Sequence, residues 1–496
     1  MVTAGLCRIF RQDGYRVAPF KSQNMALNSF VTEDGLERGR AQVMQAQAAG
    51  EKPAVAMNPI LLKPTGDHTS QVIVNGKAVA NMDACTYFAQ KLQYIPYIRK
   101  AYDSLAAEHD IVLIEGAGSP AEINLNQHDI VNLGLAEMID APVILVADID
   151  RGGVFAQLYG TVMLLPDGQR RRIKGLVINK FRGDASLLVS GVEQIETLLG
   201  IPVVGLIPYM EDLHLPDEDS LSERFAKRGH WREGLRIAVI RYPRISNFTD
   251  FDAFEQYENV RVAFVRTADE LLAAEPDAVI LPGSKHTVSD LRWMRERGIC
   301  DVLLGELSEV PLVGICGGLE MLGTEIVDAA GVEGQRESEK GLGLLPVATV
   351  MDAAKVRQQV TGKIPELGGC FAKLSGMKAV GYEIHNGRLV RENERHGAAQ
   401  DGSAEDVFAL GTGRVLGTFL HGLFDETKLR ERFLHIVAAY RGKTDFALSG
   451  GGVSQDDFVE AQFDRLAEVL RKHLAMDALF RIMEGKDAVL QEQPRE

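Results

Sequence analysis

Pro311-Leu-Val-Gly-Ile-Cys316-Gly-Gly-Leu-Glu320-Met-Leu-Gly323 is the stretch that decides the fold. A short apolar run enters Cys316, two glycines follow, and an apolar helical segment begins at once. A strand that turns sharply into a helix is the repeating step of an α/β sheet. A nucleophile on that turn is presented at the sheet's carboxyl edge. Gly317 and Gly318 leave backbone N–H groups open to a developing oxyanion. The start of a helix favours a thiolate, which marks Cys316 as the reactive cysteine. A thiolate needs a base. His421 closes the apolar run Arg414-Val-Leu-Gly-Thr-Phe-Leu-His421, again at a strand end, and completes a Cys–His couple.

Working outward, further strand-like runs appear at Arg236–Tyr242, Val260–Val265 and Ala278–Pro282. An earlier set lies at Tyr15–Lys21, Asp110–Gly116, Pro142–Asp148, Gly175–Lys180 and Pro202–Pro208, with helix-length segments between most of them. Apolar strands alternating with helices predict parallel sheets covered on both faces. The 496 residues fit two or three domains at about 150 residues each. The expected divisions are 1–212, a polar linker over 213–234, 235–445, and a C-terminal helical segment over 446–496. In that last segment Phe463, Leu466, Leu470 and Leu474 follow helical spacing.

The formal charge is −15, from 54 Lys+Arg against 69 Asp+Glu, which disfavours general nucleic-acid or anionic-membrane binding. Five scattered cysteines have no metal-ligand spacing and suggest no disulfide scaffold. No apolar run approaches the length of a bilayer span, and residues 1–20 carry charges throughout, so a cytoplasmic protein is expected.

Four motifs end strands of the first unit. Lys21, in Phe20-Lys-Ser-Gln-Asn24, could clamp a phosphate or carboxylate, or belong to a polar loop. Glu115, in Glu115-Gly-Ala-Gly118, suits a Mg²⁺–nucleotide site or a solvated turn. Asp148-Ile-Asp150-Arg151 could hold Mg²⁺ and an anion, or pair internally. Asn179 carries an amide that could read a base edge.

The Cys316 segment resembles the class I, or triad, glutamine amidotransferases. By that likeness Leu281-Pro-Gly283-Ser-Lys-His-Thr287 is the oxyanion loop, with Gly283 and Gly317 as donors. Glu320 stands where the family commonly has a glutamine-contacting Gln. The triad's acid usually lies two residues after the histidine. Here that residue is Leu423, so either a dyad suffices or another group orients His421.

Over nearly its whole length the chain resembles the cobyric acid synthases of cobalamin biosynthesis. The resemblance rests on Phe20-Lys-Ser-Gln-Asn-Met-Ala-Leu-Asn-Ser29, Glu115-Gly-Ala-Gly-Ser-Pro-Ala-Glu122, Asp148-Ile-Asp-Arg-Gly-Gly153 and Gly381-Tyr-Glu-Ile-His385. It implies a P-loop, dethiobiotin-synthetase-like parallel-sheet domain followed by the amidotransferase domain. It also implies ATP- and glutamine-dependent amidation of the b, d, e and g carboxylates of adenosylcobyrinic acid a,c-diamide. Lys21 would then contact ATP phosphates or the reacting carboxylate, Glu115 would bind Mg²⁺, and Asn179 would lie near the adenine. Two alternatives stay open: the related cobyrinic acid a,c-diamide synthase, and a non-synthetic partner that binds corrinoid or glutamine with an impaired ATP site. The latter gains support because no Gly-x₄-Gly-Lys-Ser/Thr loop occurs in the chain, which opens on what reads as the following helix. The expectation is a first unit lacking its first strand, through a downstream start or through natural variation.

Cys316→Ser is expected to abolish glutamine hydrolysis while ammonia-dependent amidation survives, because free ammonia bypasses the thioester. Loss of both activities in a folded variant would contradict this division of labour.

Overall fold

The structure, a computed structural model, describes residues 1–26, 29–32, 35–64, 69–210, 213–215, 234–334, 336–391, 409–486 and 488. Most of the expected linker (216–233), and Asn28 of the amide-rich block, lie outside the described residues.

The first unit is α/β, with its parallel sheet in two pieces. Val17–Phe20 pairs in parallel with Ile111–Ile114. Val203–Pro208, Ile173–Phe181 and Val143–Asp148 form a second parallel sheet in that order. No backbone ladder joins the two pieces among the described residues. They nevertheless share one apolar layer, in which Leu113 of the first and Val177 and Val204 of the second meet Phe10 and Phe463. Short continuous apolar runs make these strands, since a parallel sheet is covered on both faces.

Between residues 23 and 83 the chain builds a small four-stranded sheet rather than the simple strand–helix alternation expected from sequence. Its hairpin Thr69–Val74/Lys77–Asp83 turns at Asn75-Gly76, with φ of 48° and 75°. Two successive left-handed residues match the twist of a two-residue hairpin, and Asn-Gly adopts them at least cost. A second hairpin, Ser29–Val31/Glu37–Gly39, leads straight into the helix Arg40–Ala49.

The second unit centres on six strands in the order Val260–Val265, Leu235–Ile240, Ala278–Leu281, Leu312–Ile315, Val415–Thr418, Ala409–Thr412. Every pair is parallel except the last. Apolar layers cover both faces. A long antiparallel ribbon, Val347–Lys363 with Lys378–Arg391, extends from a neighbouring sheet. The ribbon meets the first unit: Lys355 pairs with Glu37 at 2.8 Å, and Tyr382 packs on Phe30. Glu37 also pairs with Lys63. A buried carboxylate shared by two ammonium groups avoids the large cost of an unpaired interior charge.

The helix Gln455–His473 of the C-terminal segment returns to the first unit. Phe463, Leu466 and Leu470 pack on Val2–Gln12, and Arg8 pairs with Asp464 at 2.7 Å and Glu460 at 2.6 Å. The two helices approach so closely that a Cβ on Gly5 would lie 2.2 Å from Leu470 Cδ1. Gly5→Val should therefore overpack this contact and cost about 1–3 kcal/mol. Urea denaturation followed by a probe in the first unit would measure it, and an unchanged midpoint would contradict the close approach.

Candidate active site

Cys316 ends the strand Leu312–Ile315 and precedes the helix Gly317–Leu322. Its backbone is left-handed, with φ 53° and ψ −112°. Such a conformation costs a non-glycine residue of order 1–3 kcal/mol and persists only when packing imposes it. The packing is visible at Gly318, where a Cβ would lie 1.9 Å from the Leu281 carbonyl oxygen. The helix thus sits directly on the neighbouring strand, and the turn at Cys316 has no room to relax. The Cys316 sulfur lies 3.7 Å from the carbonyl oxygen of Ile384 in the ribbon.

His421 is fully buried and held from several sides. Its backbone exchanges two hydrogen bonds with Tyr382, at 2.9 and 3.1 Å, and the two rings stack with centroids 5.3 Å apart. Its Nδ1 lies 2.7 Å from Asp250 Oδ2. Asp250 Oδ1 accepts a further bond from Gly422 N at 3.0 Å. Nε2 has no hydrogen-bond partner among the described residues, which leaves that nitrogen available for proton transfer. Burial alone would lower the imidazole pKa, but the Asp250 charge and hydrogen bond, with a smaller contribution from Cys316, push it up to about 10. The charged pair stabilises the fold fully below the ordinary histidine value of 6.5, and that contribution is lost as pH rises through about 10.

Asp250 therefore occupies the orienting position that sequence left vacant. It comes from Phe248–Gln256, far in sequence from His421. The signal was faint: an acid inside Phe248-Thr-Asp250-Phe251-Asp-Ala-Phe254, whose aromatic residues are all buried. His385 is engaged elsewhere, stacked on Phe419 with Nδ1 2.7 Å from Gly387 O.

The expected oxyanion and glutamine residues gather around the same turn. A Cβ on Gly317 would lie 2.9 Å from Ser284 N, and one on Gly283 would lie 3.2 Å from His421 Cε1. Glu320 is buried and accepts a bond from Thr287 Oγ1 at 2.9 Å. Burial first, then the nearby Glu333, push its carboxyl pKa up to about 8. That shift favours the carboxylic acid, whose hydroxyl can donate as the amide of a Gln would.

In the first unit Lys21 and Glu115 come together and Asn179 does not join them. Lys21 Nζ lies 2.7 Å from Glu115 Oε1, and Gln45 Nε2 donates to Oε2 at 2.6 Å. Burial raises the Glu115 pKa, but Lys21 and the chain's amino group outweigh it and hold the carboxyl below its ordinary range. Asn179 lies within the strand Ile173–Phe181 of the other sheet piece, two residues before its end and beside the Lys180–Asp148 pair at 2.6 Å. Among the described residues no three His, Cys, Asp or Glu side chains cluster as a metal cage. Mg²⁺ bound with phosphates needs only one or two carboxylates, so Glu115 fits that ion if it exchanges Lys21 and Gln45 for it.

A buried Cys–His–Asp constellation on a strand–turn–helix, in a chain that opens with an α/β unit, defines a glutamine amidotransferase of the ligase type. Residues 236–429 match the CobB/CobQ-like glutamine amidotransferase domain, and residues 1–222 match the CobQ/CobB/MinD/ParA nucleotide binding domain. Curated relatives narrow the family further. The cobyric acid synthase of Ruminiclostridium cellulolyticum is 48% identical over 98% of this chain and 94% of its own length. That of Lachnoclostridium phytofermentans is 48% identical over 98% and 96%. That of Salmonella typhimurium is 47% identical over 98% and 96%. The chain belongs to the cobyric acid synthase family. No helix among the described residues is long and apolar enough to cross a membrane.

Asp250→Asn should lower glutaminase turnover about a hundredfold or more, and His421→Ala at least as much. In Asp250→Asn the imidazolium should also be lost at lower pH than in the parent, which the pH profile of Cys316 alkylation would report. An unmoved profile would mean that Asp250 is only structural.

Proposed function

We propose that this protein amidates the b, d, e and g carboxylates of adenosylcobyrinic acid a,c-diamide, drawing nitrogen from glutamine and energy from ATP. The observation that carries the reading is the Cys316–His421–Asp250 constellation within a chain of this family. Cys316 attacks the glutamine carboxamide carbon, the C–N bond breaks, and a γ-glutamyl thioester remains on sulfur. His421 delivers the proton that lets ammonia leave, then takes one from the water that hydrolyses the thioester. Asp250 keeps the imidazole in one tautomer and balances its charge. The N–H groups of Gly283 and Gly317 stabilise the oxyanion, and Glu320 donates to the bound glutamine.

A carboxylate is a poor acyl donor, so the acceptor is first converted by ATP to an acyl phosphate. Lys21, buried beside Glu115, would neutralise phosphate oxygens. Glu115 would hold Mg²⁺, which supplies charge neutralisation at the transferring phosphoryl group. Asn179, across the break in the sheet, would sit toward the base. The division into units at 1–212 and 235–445, joined by 213–234 and followed by 446–496, belongs to the same proposal.

The test supplies ATP, Mg²⁺, glutamine and the a,c-diamide, and follows phosphate release and corrinoid mass. Four successive carboxylate-to-amide conversions are expected. Conversion only of cobyrinic acid itself would favour the a,c-diamide synthase. Binding of corrinoid without phosphate release would favour a non-synthetic partner.

A further inference from the structure

The loop from Gly283 to His286, proposed above to present an oxyanion donor, is closely hemmed in. A Cβ on Gly283 would lie 3.0 Å from Ser246 Oγ and 3.2 Å from His421 Cε1. One on Gly317 would lie 2.9 Å from Ser284 N and 3.1 Å from Ser284 Cβ. A donor in such a place acts only if its direction is held, since a misplacement of about 1 Å can cost about a hundredfold in rate. Backbone bonds hold one side of the loop. Ile245 and Ser246 pair with Ser284 and Gly283 in a short antiparallel ladder, and Lys285 N donates to Arg244 O at 2.9 Å.

The other side is held by a carboxyl group that the mechanism above does not use. Asp290 lies in the first turn of the helix Thr287–Glu296 and is fully buried. Ser284 Oγ donates to Asp290 Oδ2 at 2.6 Å and accepts from His286 N at 3.0 Å. A hydroxyl has a single hydrogen, so with a lone pair taken by His286 the hydrogen is committed to Asp290. The Ser284 side chain thereby ties the loop to the helix. Asp290 Oδ1 has no hydrogen-bond partner among the described residues. A buried acid with one oxygen unpaired costs stability, so packing alone does not account for a carboxyl here. Burial pushes its pKa up to about 7, against the Ser284 bond and the nearby Arg244. The charged and the neutral forms both keep a lone pair for Ser284, so the tie survives the gain or loss of that proton.

We infer that Asp290 is a positioning residue for glutamine hydrolysis: through the Ser284 hydroxyl it sets the direction of the Gly283–Ser284 backbone against the Cys316 turn. The inference rests on the oxyanion role proposed above for Gly283. Asp290 acts through Ser284 and not on the substrate. Its effect is confined to the step in which the carboxamide oxygen gains charge.

Three substitutions test it. Asp290→Leu removes the acceptor at similar bulk, Ser284→Ala removes the donor, and Asp290→Asn keeps an acceptor oxygen. In the first two, glutaminase kcat should fall about tenfold to a hundredfold, less than the loss of a whole oxyanion donor. KM for glutamine should stay at the parent value, because the oxyanion forms only on the way to the transition state. Combining the first two should be no worse than the slower one alone, as for two ends of one bond. Asp290→Asn should keep most of the parent rate. Iodoacetamide alkylates Cys316 at a saturated carbon and forms no oxyanion, so its rate should match the parent in all four variants. An equal fall in alkylation would overturn the inference, because it signals damage to the nucleophile, and so would additive losses in the combined variant. Amide hydrogen exchange over residues 283–287 separates the two roles. Faster exchange in Asp290→Leu with parent-level kcat would overturn the inference at Gly283, and unchanged exchange would overturn it at Asp290. If the parent does not hydrolyse glutamine, the proposed function fails first, and exchange alone judges the tie: acceleration in Asp290→Leu and Ser284→Ala but not in Asp290→Asn supports it, and equal exchange in all three overturns it.

Discussion

The left-handed backbone at Cys316 is the constraint on which the amidotransferase unit depends. A strained residue is stable only if its surroundings leave it no alternative, and here they leave none. Gly318 abuts the carbonyl of Leu281, and the strand before the cysteine is ladder-bonded on both sides. The sulfur is thereby fixed at the carboxyl edge of the sheet. The loop at Gly283 and the strand leading to His421 flank the same edge because parallel strands all end there.

Burial pushes both titratable groups around that sulfur toward their neutral forms, and their partners decide the outcome. His421 remains charged in a dry interior because Asp250 is 2.7 Å away. Glu320 is pushed toward its neutral form by burial and then by the nearby Glu333. Both pKa values move up, so each group favours its protonated form, one as a cation and one as a neutral acid. Glu37 applies the same physics at the junction of the units, where Lys63 and Lys355 share a single carboxylate. The ribbon that brings Lys355 also brings Tyr382 against His421, so the contact between units and the setting of the base are mechanically linked.

The two units differ in how they are completed. The amidotransferase sheet is continuous across six strands. The parallel sheet of the first unit is in two pieces, held as one layer by the helices Val2–Gln12 and Gln455–His473. The helix Gln455–His473 thus stabilises the unit farthest from it in sequence, through apolar burial reinforced by the Arg8 pairs.

Local sequence alone determined the α/β class, most of the parallel strands, the strand-to-helix turn at Cys316, and the positions of His421, Lys21 and Glu115 just after strands. These are legible because strand-to-helix turns, glycine punctuation and apolar runs are short-range features whose physics acts within a few residues. Sequence missed the Asn75-Gly76 hairpin, although its signal was local, because the strand–helix alternation on either side was extended across it. Tertiary structure decided what depends on approach between distant segments. Asp250 meets His421 across 171 residues, Gln45 meets Glu115 across 70, and burial pushes the Glu320 carboxyl toward its protonated form. A side chain's partner, and the dielectric it sits in, are properties of the packed interior, and no spacing along the chain encodes them directly.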